Sequence, residues 1–251
     1  GLSLAAIGQA EDYERTVAHP KLWHPIDGLG VMWRYLLRPA LAPTCETLLA
    51  LRAQGLDAVV ATPVAMGARV AQERSGVPLL SVYTAATMLR TVHDPMTLAS
   101  LRMPRWVPQA ARRLAWSALD RWKLEPLVRP ALDALRKLHG LPRAPESVFG
   151  SWVHSPDGGL ALFPDWFAAA TADWPQSVGT SGFMLYDGDA GEADRLPASL
   201  KDFLAAGGPP VVFMPGTAQR NASHFFASAH AACRELGLRG VLLGKSASHP
   251  A

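Results

Sequence analysis

The sequence predicts an α/β protein built on parallel strands, and three observations carry that expectation. Residues 57–83 run as apolar stretch, helical stretch, apolar stretch, the spacing of a crossover that joins parallel strands. The two strand-like runs, Asp57-Ala-Val-Val-Ala-Thr62 and Val77-Pro-Leu-Leu-Ser-Val-Tyr83, are apolar almost throughout, as strands buried in such a sheet are. The same alternation resumes late in the chain at Pro209-Pro210-Val-Val-Phe-Met-Pro-Gly216-Thr217.

Taken in order, Leu2–Ile7 reads as a first short strand. Val31–Gln54 reads as a helix, with Trp33, Leu36, Leu37, Ala40 and Leu41 on one face. Pro39 and Pro43 are expected to kink or split it. Pro63 opens a second helix that runs to about residues 72–74. Leu160–Phe163 forms a strand stopped by Pro164, and Trp166 and Trp174 behind it are expected to lock that strand in place. Asp187–Asp194 carries Gly and acid without apolar periodicity, which marks a linker. A helix over Pro197–Ala206 stops at Gly207-Gly208. The strand Pro210–Met214, a helix over 223–236 and the strand Gly240–Leu243 follow. The domain expectation is therefore residues 1–186, a linker at 187–196, and a second unit at 197–251, with both chain ends reading as cut from something longer. A single continuous sheet through Ile7, Val60 and Val212 would rule out two facing units.

Bulk properties narrow the classes. The chain has 251 residues, 49% hydrophobic and 18% charged, with a formal net charge of +3. That balance lacks the dense basic stripe of a nucleic-acid binder, so no nucleic-acid partner is expected. Cys45 and Cys233 have neither metal nor disulfide spacing, which points to a reducing compartment and hence the cytoplasm. No run reaches the roughly 18 apolar residues of a membrane span.

Residues 101–143 have a different texture. Arg102, Arg105, Arg112, Arg113, Arg121, Lys123 and Arg129 interleave with Trp106, Leu114, Trp116, Leu119 and Trp122. One reading is a basic amphipathic helix on lipid headgroups at the inner face of the cytoplasmic membrane. The other is a surface helix whose apolar stripe packs on the sheet and whose arginines face water.

Several short motifs resemble a known family. Pro164-Asp165-Trp166-Phe167, Asp173-Trp174-Pro175, Thr180-Ser-Gly182-Phe183 and the 209–217 run are similar to the family 28/family 1 glycosyltransferases. The resemblance is strongest to the rhamnosyltransferase catalytic chains of rhamnolipid synthesis and to sterol glucosyltransferase-like proteins. Tyr13-Glu-Arg15-Thr16, Pro20-Lys-Leu22-Trp23 and Trp152-Val-His154-Ser155-Pro156 add to it. The resemblance implies a GT-B fold of two facing Rossmann-like domains, one for the acceptor and one for a nucleotide-sugar. It implies metal-independent, inverting transfer of a sugar to an apolar or lipid hydroxyl, with no cofactor besides the nucleotide-sugar. Two family features are missing: the glycine-rich loop that carries the base, and the His/Gly-rich donor turn. No catalytic residue is therefore assigned.

The individual candidates follow from chemistry and from that resemblance. Gly216 and Thr217 close a strand-to-helix turn whose amides could meet a donor phosphate, or which is an ordinary turn. Thr62 and Thr84 end predicted parallel strands, where open α/β sheets bind ligands, although hydroxyls there also cap helices. Trp152 and His154 are candidates to line the acceptor site, with His154 a weak candidate for the base. Two other classes compete: a catalytically incomplete binding module derived from such a transferase, and a nucleotide-binding oxidoreductase. The last is disfavoured because no G-x-G-x-x-G follows any strand.

Overall fold

The computed structural model describes residues 3–22, 24, 27–94, 97–98, 101–144, 147–185, 196–216 and 222–244. The chain divides into two compact units, Gly1–Met184 and Leu185–Ala251.

The first unit holds a four-stranded parallel sheet in the order β1-β2-β5-β6, with β1 at Val59–Ala61, β2 at Leu79–Tyr83, β5 at Gly159–Ala161 and β6 at Val178–Thr180. A two-residue hairpin, β3 (Thr97–Leu98) and β4 (Leu101–Arg102), stands apart. The helices are α1 (Ala10–Val17), α2 (Gly28–Met32), α3 (Arg38–Ala53), α4 (Met66–Ser75), α5 (Gln109–Leu119) and α6 (Glu125–Leu138). The expected crossover is present as β1-α4-β2. Helix α4 ends at Gly76, whose φ of +68° is the left-handed cap that glycine adopts freely.

The second unit contains α7 (Ala198–Ala205), β7 (Val211–Phe213), α8 (Ser223–Leu236) and β8 (Gly240–Leu242), with β7 parallel to β8. Val60 and Val212 thus belong to separate sheets. The expected linker lies outside the described residues except for Leu196.

Four expectations need correction. Residues 3–7 form no strand: Leu4 is exposed and nothing pairs with the run, and an apolar stretch without a neighbouring strand has nothing to hold it extended. The β1 strand is buried on one face only. Val59 is buried, whereas Val60 is 65% exposed, because Val59 and Leu79 pack with Ala68 of α4 and Leu48 of α3 while Val60 and Leu80 point to the other, accessible face. The stretch 31–54 is helical as far as Ala53 and its helix continues past both prolines, with the change of helix type falling ahead of them. A π-turn at Trp33–Leu37 links α2 to α3, and Pro39 and Pro43 then sit in α3. The wider i→i+5 turn absorbs the register change that a missing proline N–H brings. The same device recurs at Asp120–Leu124 ahead of Pro126 and Pro130 in α6. Finally, Trp174 is buried against Phe163 as expected, but Trp166 is exposed and locks nothing.

The main core gathers Trp33, Leu41, Cys45, Met66, Val70, Val128, Leu132 and Trp152 where α3, α4 and α6 meet. Close helix approach depends on Gly67, where an added Cβ would lie 2.3 Å from the Leu41 carbonyl oxygen and 2.9 Å from the Cys45 nitrogen. Those obstacles are backbone and cannot rotate away. Beside this core, Glu73 accepts from the Trp152 indole N–H at 2.8 Å and pairs with Arg69 at 3.1 Å and with Arg136. We predict that Gly67→Ala destabilises the fold by about 2 kcal/mol, the usual scale of overpacking. Urea unfolding should show a lower midpoint with an unchanged slope, and an unaltered midpoint would refute the crossing as a constraint.

Candidate functional site

Parallel strands lead their C-terminal ends to one edge of the sheet, where open α/β folds place ligands. Here that edge is made by Thr62 after β1, Thr84 at the end of β2, Phe163 after β5 and Ser181 after β6. Two bonds set its shape: the Leu162 N–H donates to the Tyr83 carbonyl at 2.9 Å, and the Ser181 N–H to that of Ala161 at 3.0 Å.

The two threonines come to this edge on adjacent strands. Neither caps a helix. The N-cap of α4 is Ala65, and the 3₁₀ turn Ala86–Met88 is preceded by Ala85, with no side-chain cap at either. The Thr84 hydroxyl has only a 3.9 Å contact to the Met88 sulfur, and the Thr62 hydroxyl bonds to no described residue. Both hydroxyls are therefore open to a ligand's hydrogen bonds.

The segments that follow β5 and β6 carry an aromatic group that sequence reading did not assemble. Pro164 ends the strand run and turns the chain, with the Phe167 N–H donating to the Pro164 carbonyl at 3.0 Å. This sets Trp166, Phe167 and Phe183 edge to face, with ring centres 5.3–6.3 Å apart. Their exposures are 77%, 57% and 43%. Phe167 also meets buried Phe163, which contacts Trp174 edge to face, so the exposed rings are anchored in the core. An exposed apolar patch of this kind lies where open α/β sheets place ligands. The signal in the sequence is a Trp-Phe pair placed directly after a strand-ending Pro-Asp.

Asp173 braces the opposite side of this segment. It accepts from Thr91 at 2.8 Å, Thr171 at 2.7 Å and the Val92 N–H at 2.7 Å. Burial works against its charge, and these donors together outweigh burial, so its pKa lies below the ordinary carboxylate value.

Trp152 and His154 are not brought to the edge. Both lie in the segment leading into β5, on the helix-covered face. Trp152 is buried in the core, its N–H held by Glu73 and its ring flanked by Arg69 and Arg136 at 5.7 and 5.4 Å. It has no face left to wall a pocket. His154 is buried too, its Nδ1 2.9 Å from the Tyr83 hydroxyl. Burial, with the positive charge of Arg90 second, pushes its pKa down to about 4. It is thus neutral near pH 7, but Tyr83, itself only 1% exposed, stands over the nitrogen that faces it. Cys45 is no nucleophile either: burial first, then Glu46, raises its pKa to about 11.

Gly216 follows β7 with a φ of +97°, where glycine is at ease and open space surrounds it. Thr217 lies outside the described residues. Among those residues no three His, Cys, Asp or Glu side chains are grouped to hold a metal ion.

No family profile matches this chain, and no curated protein does. It is similar to a solved structure described as the glycotransferase of kitacinnamycin, with a TM-score of 0.53 and 16% identity. The similarity covers 90% of this chain but spans about half, 51%, of the solved chain. Together with the parallel sheet, this likeness defines an α/β protein of GT-B-like, Rossmann-like fold.

The buried imidazole has a consequence for stability. Its pKa is lowered from 6.5 to about 4 on folding. The unfolded chain therefore takes up a proton that the folded one refuses as pH falls below about 6.5. Stability is complete above that value, declines toward pH 4 and levels below it, by at most about 3 kcal/mol. In His154→Gln this share of the acid loss should vanish, as comparing urea midpoints at pH 7.5 and 5 would show. An identical pH slope in the variant would show that His154 is not responsible.

Proposed function

We propose that this chain is part of a glycosyltransferase that moves a sugar from a nucleotide-sugar to a hydroxyl of an apolar or lipid acceptor. The observation that carries the reading is the pairing, at one sheet edge, of two uncommitted hydroxyls with three exposed aromatic rings. A molecule with a hydrophobic body and a hydroxyl suits that combination: the body lies on Trp166, Phe167 and Phe183, and Thr62 and Thr84 orient the polar end. The GT-B-like fold and the solved transferase neighbour support the reaction class. On this reading the donor diphosphate meets the turn at Gly216 and Thr217, where backbone amides and a helix N-terminus take the part a divalent cation plays elsewhere. Transfer is metal-independent and inverting, of the rhamnosyltransferase-like type, and needs no cofactor beyond the nucleotide-sugar. The unpaired thiols Cys45 and Cys233 suit a cytoplasmic setting.

A second reading has an observation of its own. The imidazole that the sequence offered as a base, His154, is buried and engaged with Tyr83. On that reading the chain is a binding module for apolar hydroxylated molecules and does no chemistry itself.

One measurement separates these readings, and two more test the site. Full-length gene product supplied with uridine- and deoxythymidine-linked sugars and hydroxy fatty acids should form glycoside; no turnover with any pair leaves the binding module standing. In either case the double variant Trp166→Ala/Phe183→Ala should weaken binding of an apolar alcohol at least about tenfold, the scale of losing two aromatic contacts. Titration followed calorimetrically would reveal this, and unchanged affinity would overturn the edge as the acceptor site. Thr217→Trp in the full-length protein should lower nucleotide-sugar affinity and leave alcohol affinity alone; equal donor affinity would remove Thr217 from the site.

A further inference from the structure

A second exposed apolar surface lies well away from the strand ends in sequence, on α5 and the π-turn that follows it. Six large apolar residues of this region divide between two sides. Trp116 and Leu119 are partly buried, Leu124 is buried, and these three turn inward. Trp106, Leu114 and Trp122 are 81%, 70% and 77% exposed. Each exposed one directly follows an arginine: Arg105-Trp106, Arg113-Leu114 and Arg121-Trp122, at intervals of eight residues. Eight residues slightly exceed two α-turns, and the wider π-turn takes up part of the excess, so Leu114 and Trp122 share one side of the helix. Trp106 precedes α5, and buried Arg112 fixes the backbone there, donating to the Arg105 carbonyl at 2.7 Å and to that of Val92 at 2.8 Å.

The charge on this surface is all of one sign. No acidic residue occurs between Asp94 and Asp120. The two acids that follow are both turned inward: Asp120 accepts from Arg90 at 2.7 Å, and Glu125 pairs with Arg129 and accepts from the Val148 N–H at 2.6 Å. Arg105, Arg113, Arg121 and Lys123 are exposed, and none has a carboxylate within ion-pair distance among the described residues.

We infer that the outward face of α5 and its π-turn, carrying Trp106, Leu114 and Trp122 with their preceding arginines, rests on an anionic lipid surface. The inference stands independently of the transferase reading. A bilayer interface takes indole rings and a leucine into the headgroup boundary while the neighbouring cations meet lipid phosphates. Trp and Arg also suit a protein interface, but a row of four exposed cations, Lys123 among them, with no acid beside it matches the regular phosphates of an anionic bilayer better than a mixed protein surface. Nucleic acid fits less well too, since Leu114, at the middle of the face, offers no ring on which a base could stack. No described helix is long and apolar enough to cross a membrane, so the contact is one of lying on the surface.

The test is co-sedimentation of the 251-residue chain with vesicles of phosphatidylcholine alone and with a third of the lipid replaced by phosphatidylglycerol. Binding should be at least about tenfold tighter to the anionic vesicles and should weaken on going from 0.1 to 0.5 M salt. Trp106→Ser/Leu114→Ser/Trp122→Ser should reduce it about tenfold or more, since each loses a buried apolar group. Arg113→Glu/Arg121→Glu keeps every apolar residue and serves as a second variant should the first fold poorly, with circular dichroism as the check on folding. Its binding should fall to that seen with neutral vesicles. No vesicle binding, equal binding to both vesicle types, or anionic binding that survives both sets of substitutions would overturn the inference. Tighter binding to a single-stranded oligonucleotide than to anionic vesicles would overturn it in favour of nucleic acid, and concentration-dependent dimerisation lost in the serine variant would do so in favour of self-association.

Discussion

The first unit depends on one close approach, that of the Tyr83 ring to Gly159. A Cβ at Gly159 would lie 2.8 Å from Tyr83 Cε2 and 2.9 Å from Val178 Cγ2, so only glycine lets β5 lie between β2 and β6. The positions of β2 that face the helices are each engaged by the segment entering β5. Leu79 donates its N–H to Asp157 at 2.9 Å, Ser81 accepts from the Ser155 N–H at 3.0 Å, and Tyr83 reaches His154. Gln72 of α4 joins Ser155 and Asp157. Register, strand order and helix cover are therefore set by the same few contacts. Displacing β5 would carry Phe163 with it, and through Phe163 the exposed rings at the strand ends.

This arrangement separates two groups of polar and aromatic residues that look alike in the sequence. Trp152 and His154 are spent on the covered face, where burial makes any unpartnered N–H or nitrogen costly and each finds a fixed partner. Thr62, Thr84 and Trp166 sit at strand ends, where nothing behind them demands such a partner. The physical difference is topological. A side chain in a segment leading into a parallel strand meets the helices that cover the sheet, whereas one leaving the strand meets open space. His154 illustrates the cost of the first position: the same burial that keeps it neutral removes it from any acceptor.

That difference also decides what could be read in advance. The β1-α4-β2 crossover was legible because Val-Val and Leu-Leu runs at helix spacing have few other uses, and α8 was legible over its full 223–236 span. The strand β6 was not, since Val178-Gly-Thr has no apolar run and gains its place only by pairing with β5. The π-turns were hidden because prolines advertise a break, and a five-residue π-turn ahead of them has no residue signature. Burial of β1 was overread: Val60 suits a core strand, yet only its neighbour Val59 meets a helix. At the candidate site Thr62 and Thr84 were visible from strand-end logic alone. The aromatic group needed three dimensions, because Phe183 joins Trp166 only when β6 lies beside β5.

The basic face on α5 shows why net charge is a poor guide to what a surface presents. A formal charge of +3 spreads thinly over 251 residues and gives no hint of a concentrated patch. Folding, however, withdraws Asp120 and Glu125 into pairs with Arg90 and Arg129, and Glu73 into its pairs with Arg69 and Arg136. The Asp120–Arg90 and Glu125–Arg129 pairs are neutral as units and contribute little field outside, while Glu73 is shared by two arginines. What is left at the surface of this region is cationic, since the arginines that precede Trp106, Leu114 and Trp122 have no internal carboxylate to meet. The acids that would have balanced them are held inside by the fold. Local charge at this face follows from which carboxylates the core has claimed, and the sequence total cannot record that division.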